Sequence, residues 1–187
     1  MILASRSPRR KELLASCGVE FSIYDANVEE LTADSPVALE ELPGCNALLK
    51  ARSVAGMFPS EMVLGADTMV ICDGMALGKP ESLADSCRML KMLSGKSHQV
   101  ITGVALLCAE KNIVEVWSEV SEVKFKTLSD EDIAKYTAMV NTLDKAGAYA
   151  IQEHGELIVE KFSGELENII GLPLIRLKTL LEKYSEN

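Results

Sequence analysis

Four positive charges fall within the first eleven residues, at Arg6, Arg9, Arg10 and Lys11, and no acidic residue precedes Glu12. Three of them lie in S-R-S-P-R-R, Ser5 to Arg10, which follows a short apolar run and opens a helical pattern. Backbone N–H groups at a helix start converge on one spot. With the Ser5 and Ser7 hydroxyls they make a natural anion site. Cations in a first helical turn oppose the helix dipole, so Arg9 and Arg10 are destabilising there unless an anion neutralises them. A capped surface helix with solvated arginines is the alternative.

A second feature is G-A-D-T, Gly65 to Thr68, after the apolar Met62–Leu64. It sets one carboxylate, Asp67, among small and apolar neighbours that leave room for a ligand. Such a group suits Mg²⁺ or the activation of a water, whereas an Asx-type turn would use it locally. Glu29 and Glu30 add two acids after the second expected strand, where a solvated surface is the plain alternative. Lys79 sits in the rigid turn G-K-P, and Lys50 lies on the helix before it; either is also at home on a surface. In K-A-G-A-Y-A-I-Q, Lys145 to Gln152, small residues permit close backbone approach, and Gln152 presents a donor and an acceptor that match a base edge. A tightly packed core strand is the other reading of that segment. His98 and His154 stand in no nucleophile motif and at no metal-ligand spacing. No phosphate-binding G-x-x-x-x-G-K-[ST] or dinucleotide G-x-G-x-x-G occurs.

The elements that must position these residues follow from local signals. Met1–Ala4 reads as a buried strand, and Pro8 opens a helix to about Cys17 with Ser7 as its N-cap. Phe21–Tyr24 is a second strand. Pro36–Met57 is helical in pattern, divided at Pro43-Gly44. Met62–Cys72 reads as strand, G-A-D-T turn and strand again. Ser82–Leu93 is an amphipathic helix with Leu83, Cys87, Leu90 and Leu93 on one face. Gln99–Cys108 and Ile113–Phe125 pair as a hairpin around Glu110–Asn112. The second of these carries apolar residues in two phases, which predicts a bulge near Ser118. Ser129 caps a helix through about Met139, and Leu172–Tyr184 forms the last helix, with Pro173 near its start. Strands and helices alternate without a strict β-α-β rhythm, so the expected class is α/β with a mixed sheet.

Composition bounds the function. The 187 residues carry 28 acidic and 19 basic side chains, a net charge of −9. That balance argues against a nucleic-acid polymer as partner, which needs a broad basic face, but leaves room for a nucleotide in a local basic pocket. No apolar run reaches the about 18–20 residues of a membrane span. The basic residues follow the apolar start, the reverse of a signal peptide. Five widely spaced cysteines without C-x-x-C fit reduced thiols in the cytoplasm better than a zinc site.

Together, L-A-S-R-S-P-R-R-K-E-L-L, V-E-E, L-L-K-A, G-A-D-T, G-K-P, S-G-K-S-H-Q-V-I-T-G-V, D-K-A-G-A-Y-A-I-Q and N-I-I-G-L-P-L, in this order, resemble the Maf family of nucleoside triphosphate pyrophosphatases. The resemblance covers nearly the whole chain and implies a single Maf-like domain over residues 1–187. It also implies an elongated mixed sheet with two lobes and a central cleft, similar to the ITP pyrophosphatases. The implied activity is hydrolysis of nucleoside triphosphates to monophosphate and pyrophosphate, in nucleotide-pool house-cleaning. The implied cofactor is a divalent metal, Mg²⁺ or else Mn²⁺ or Co²⁺, and the implied assembly is a homodimer. Within the family, Arg9, Thr68 and Gln152 match the dTTP/UTP pyrophosphatases, whereas the 7-methyl-GTP pyrophosphatases carry Trp, Gln and Glu at those places. By the same resemblance, Asp67 and Glu30 are the catalytic and metal-holding carboxylates. Ser5, Ser7, Arg10, Lys50 and Lys79 take the phosphates, and Arg9, Thr68 and Gln152 set base preference. Glu153-His154 after A-I-Q and Glu165 in place of the common G-S-Y serine depart from the pattern. Since Maf proteins are also associated with inhibition of septum formation, a non-catalytic nucleotide-binding regulator is the competing class.

Overall fold

The computed structural model describes residues 1–185. The chain is α/β and divides into two compact units. Its strands are β1 (Ile2–Leu3), β2 (Ser22–Ile23), β3 (Val63–Cys72), β4 (Met75–Leu77), β5 (Ser97–Cys108), β6 (Ile113–Phe125) and β7 (Val159–Ser163). They are hydrogen-bonded in the order β2-β1-β3-β5-β6-β7, with β4 paired to β3. Both strand orientations occur, so the sheet is mixed.

The first unit comprises Met1–Asp67, Thr102–Glu119 and the chain from Gly171 onward. It contains β1 (Ile2–Leu3), α1 (Pro8–Ala15), β2 (Ser22–Ile23), α2 (Leu42–Ala55) and the start of β3 (Val63–Cys72). β1 runs parallel to β2 and to β3, with Ile2 opposite Ser22 and Val63. Side chains alternate across these strands. Leu3, Leu64, Val104 and Leu106 pack with Leu14 and the C-terminal leucines, whereas Ile2, Val63, Ala105 and Leu107 pack with Ala47, Ala51 and Val54 of α2. Each fully enclosed leucine contributes roughly 1.5–3 kcal/mol of apolar burial.

Two glycines bring α2 onto the strands. A Cβ on Gly65 would lie 2.3 Å from the Ala47 carbonyl oxygen, and one on Gly103 would lie 2.1 Å from the Pro43 carbonyl carbon. Because the helix backbone rests directly on β3, Gly65–Thr68 is not the expected turn but continues as strand. The expected helix from Pro36 is also corrected. Residues 36–41 form no helix, and α2 begins at Leu42 with Pro43 in its first turn. Proline lacks the N–H that an interior helical position donates but is tolerated at a helix start.

The second unit comprises Thr68–Ile101 and Val120–Ile170. It holds the rest of β3, β4 (Met75–Leu77), α3 (Leu83–Leu93) and the start of β5 (Ser97–Cys108). The end of β6 (Ile113–Phe125) follows, then α4 (Asp130–Met139), α5 (Gly155–Ile158), β7 (Val159–Ser163) and α6 (Leu166–Ile170). Its core gathers Val70, Leu90, Leu93, Val123, Phe125 and Tyr136. Ser82 and Ser129 cap α3 and α4, the latter in a reciprocal box with Asp132.

Three further expectations change. Along β6, Trp117, Ser121, Val123 and Phe125 are buried in one phase, and Val114, Val116 and Val120 are exposed. There is no phase change at Ser118, because valine suits a pleated surface even when solvated. Opposite β7, a register irregularity lies at Lys124/Phe125. Ala146–Ala148 is a 3₁₀ turn rather than a core strand, with positive φ at Gly147 and Ala148. The last helix, α7 (Ile175–Ser185), starts beyond Pro173.

Candidate active site

Helix α1 begins where β1 ends, which sets S-R-S-P-R-R at a strand terminus. Ser7 is extended, and its Oγ accepts the Arg10 backbone N–H at 3.4 Å, as a helix N-cap should. Buried Ser5 accepts the Ser7 N–H at 3.2 Å and a guanidinium N–H of Arg10 at 3.3 Å. Arg10 Nε donates to the Gly171 carbonyl at 2.9 Å. The guanidinium is thus folded back over the strand end instead of reaching into solvent. Burial lowers its pKa, the charges of Asp67 and Glu30 oppose that fall, and Arg9 adds to it. Arg6 pairs with Asp25 at 3.1 Å on the surface. The basic cluster therefore finds part of its counter-charge within the protein.

The acids gather around a lysine. On α2, Asn46 and Lys50 are one turn apart and share a face. Lys50 Nζ lies 2.7 Å from Asp67 Oδ1 and 2.7 Å from Glu30 Oε1. Asn46 Nδ2 donates to the other Asp67 oxygen at 3.3 Å. The Lys50 and Asp67 side chains are 11% and 13% exposed, whereas that of Glu30 is 51% exposed. One ammonium thus joins a sheltered carboxylate on β3 to an accessible one on the loop before α2. Screening by water is weak at Asp67 and stronger at Glu30.

Of the residues singled out by sequence, Ser5, Ser7 and Arg10 come together at the start of α1, and Glu30, Lys50 and Asp67 around one ammonium. All six belong to the first unit, as does half-buried Arg9. Thr68, Lys79 and Gln152 belong to the second unit. Thr68 is half-buried next to Asp67 in β3, Lys79 is exposed beside buried Pro80, and Gln152 is exposed in the turn before α5. Near Gln152, the buried Lys145 ammonium meets the Asn141 carbonyl at 2.6 Å, Asp144 at 2.9 Å and Glu153 at 3.2 Å. Glu153, one of the departures from the family pattern, is therefore an ion-pair partner of a buried lysine.

Sequence reasoning missed Asn46. A polar residue one helical turn before Lys50, on a helix face otherwise rich in alanine, was the available signal for Asn46.

Among the described residues, no group of three or more His, Cys, Asp or Glu side chains gathers as a metal cage. Mg²⁺ needs no such cage, since one or two carboxylates with substrate phosphates and water ordinarily hold it. Glu30 and Asp67, two hard oxygen donors on one ammonium, fit a divalent cation of that kind. Among the described residues no helix is long and apolar enough to cross a membrane. All five cysteines are free thiols.

Comparison with known proteins gives the family of the chain. A family model described as Maf-like protein matches residues 1–184. A dTTP/UTP pyrophosphatase of Clostridioides difficile is 45% identical over 186 residues, covering 98% of this chain and 94% of its own. One from Dictyoglomus thermophilum is 42% identical, covering 98% and 95%, and one from Moorella thermoacetica is 44% identical, covering 97% and 93%. Among solved structures, a HAM1 protein from Coxiella burnetii matches with a TM-score of 0.54 at 16% identity, over 97% of this chain and 98% of that one. That likeness concerns the fold alone. With a family model spanning nearly every residue and relatives above 40% identity at full length, the chain belongs to the Maf-like protein family.

Proposed function

We propose that this protein hydrolyses nucleoside triphosphates to monophosphate and pyrophosphate in a divalent-metal-dependent reaction, with UTP and dTTP preferred. The observation that carries the reading is the triad of Asp67, Lys50 and Glu30, electrostatically coupled to Arg10 at the start of α1. The names of the relatives support the same activity.

Glu30 and Asp67 are the residues to hold the cation, most simply Mg²⁺, which when bound supplies Lewis-acid polarisation of phosphate oxygens. Ser5, Ser7 and the first amides of α1 bind phosphate oxygens, and Arg10, Lys50 and Lys79 offset their charge. Asp67 accepts a proton from the water that attacks the α-phosphorus. The bond from that phosphorus to the bridging oxygen breaks, and pyrophosphate leaves with the electron pair. Developing charge on the leaving group faces fixed cations that need no reorganisation. Arg9, Thr68 and Gln152 set base preference. The Gln152 amide donates to a uracil carbonyl and accepts from N3–H, and it offers no negative charge to a cationic methylated purine. The same reading includes a cytoplasmic homodimer.

The test is pyrophosphate release from UTP, dTTP, CTP, GTP and 7-methyl-GTP, with Mg²⁺ and with chelator, on wild type and Gln152→Glu. Expected are chelator-sensitive release, highest kcat/KM for UTP and dTTP, and a loss of UTP turnover of about tenfold or more in the variant. Wild-type preference for 7-methyl-GTP overturns the base assignment. Nucleotide binding without release overturns the enzyme and favours a regulator.

A further inference from the structure

Asn46 is 1% exposed, and its side chain has three partners. Oδ1 accepts the Leu31 N–H at 2.8 Å, while Nδ2 donates to the Leu31 carbonyl at 3.0 Å and to Asp67 Oδ2 at 3.3 Å. The amide thus engages both backbone groups of the residue that follows Glu30. Residues 24–41, which carry Glu30, contain no helix or strand. Their backbone bonds to one another are short-range, as from Val28 to Ala26 and from Ser35 to Thr32. Near Glu30, attachment to α2 comes through Asn46 at Leu31 and through Lys50 at the carboxylate.

A buried amide costs desolvation unless each polar atom is matched. Here the matching groups are those that bring the two acids into register. Lys50 alone would tie both carboxylates through a flexible four-carbon stem. The shorter Asn46 fixes the loop backbone and the second oxygen of Asp67 against one rigid helix face.

We propose that Asn46 is a positioning residue that clamps the Glu30 loop to Asp67, so that the two carboxylates keep a fixed separation without substrate. The proposal rests on the activity inferred above, and Asn46 itself touches no substrate in it. Small misplacements at a reacting centre can cost on the order of 100-fold in rate, so the clamp acts on kcat. Binding is left to Ser5, Ser7 and Arg10.

Two variants and two readouts test it. Backbone amide exchange at Leu31 is measured on the ligand-free protein, and kcat and KM are measured for UTP. In Asn46→Ala, Leu31 protection drops at least about tenfold and kcat falls about 10–100-fold, while KM stays within about threefold. Asn46→Asp keeps the shape and the acceptor for the Leu31 N–H but loses the donor to Asp67 and to the Leu31 carbonyl. It should retain more Leu31 protection than Asn46→Ala and still lose kcat by about tenfold or more. Unchanged Leu31 exchange in Asn46→Ala overturns the clamp. So does a rise in KM with kcat intact, and so does failure of both variants to fold, which makes Asn46 a purely structural residue. If wild type releases no pyrophosphate, the proposed activity falls by itself. Leu31 exchange then still decides the clamp, lost protection supporting it and unchanged protection removing it.

Discussion

Asp67 divides its two oxygens between a lysine and an amide, which fixes its orientation before any ligand arrives. In Asp67→Asn the shape is kept, and Lys50 retains Glu30 as a partner. The new amide nitrogen, however, must face either the Lys50 ammonium or the Asn46 donor. Loss of one such hydrogen bond costs about 1–3 kcal/mol, which a melting curve would record as a modest shift. Turnover should fall by about 10²–10⁴, the usual contribution of a positioned general base. A rate within tenfold of wild type would remove Asp67 from the chemistry. Arg10 shows how residue-level reasoning from dipoles can be incomplete. A cation at a helix start is unfavourable by itself, but this one is also a hydrogen-bond donor to Gly171 and Ser5. Its removal therefore loses tertiary contacts as well as charge.

At the scale of elements, the arrangement depends on how closely α2 lies on β3. Gly65 permits that approach because it has no Cβ. Gly65→Ala drives a methyl into the backbone of Ala47 and Ala51, at 2.3 Å and 2.9 Å. Backbone cannot swing away as a side chain can, so the helix must shift, and Asn46 and Lys50 shift with it. The expected destabilisation is about 1–3 kcal/mol, as for other overpacked cores, with a loss of kcat that exceeds the loss of folded protein. Gly56→Ala is the control, since its methyl would meet only the Arg52 and Ser53 carbonyls at 3.6 Å and 4.0 Å. Equal unfolding midpoints and equal rates for the two variants would show that close approach at Gly65 is unimportant.

For the whole molecule, pH acts through a buried histidine in the second unit. His98 Nε2 lies 2.8 Å from the Tyr149 hydroxyl, its ring packs edge-on against Phe125 and Tyr149, and its Nδ1 has no hydrogen-bond partner among the described residues. Burial pushes its pKa down from 6.5 to about 4. The unfolded chain takes up this proton below about pH 6.5 and the folded protein only below about 4. Stability is therefore lost as pH falls through that window, by on the order of 3 kcal/mol. His98→Gln removes the titrating group. Denaturant unfolding at pH 7, 6, 5 and 4 should show a shallower decline than wild type. Parallel declines in the two proteins would mean that other groups set the acid sensitivity. The net charge of −9 acts at the same scale, since an acidic surface disfavours anions generally.

What the sequence determined by itself was local. The Ser7 and Ser129 caps, the β-rich runs that become β5 and β6 and the helix of α3 are written in neighbouring residues, although Leu83, expected on the inward face of α3, is exposed. Membership of the family was legible too, because ordered motifs along nearly the full chain are a linear property. The misreadings shared one cause. Gly65 looked like a turn, Pro43 like a break in mid-helix and Ala146–Ala148 like a candidate strand, because none of those segments shows what packs against it. Only the tertiary structure decided that Asn46 meets Leu31 and Asp67, at 15 and 21 residues' distance, and that Arg10 reaches Gly171, 161 residues away. Such pairings join groups that are strangers in the chain, and burial makes them strong by withdrawing the water that would otherwise compete for the same donors and acceptors.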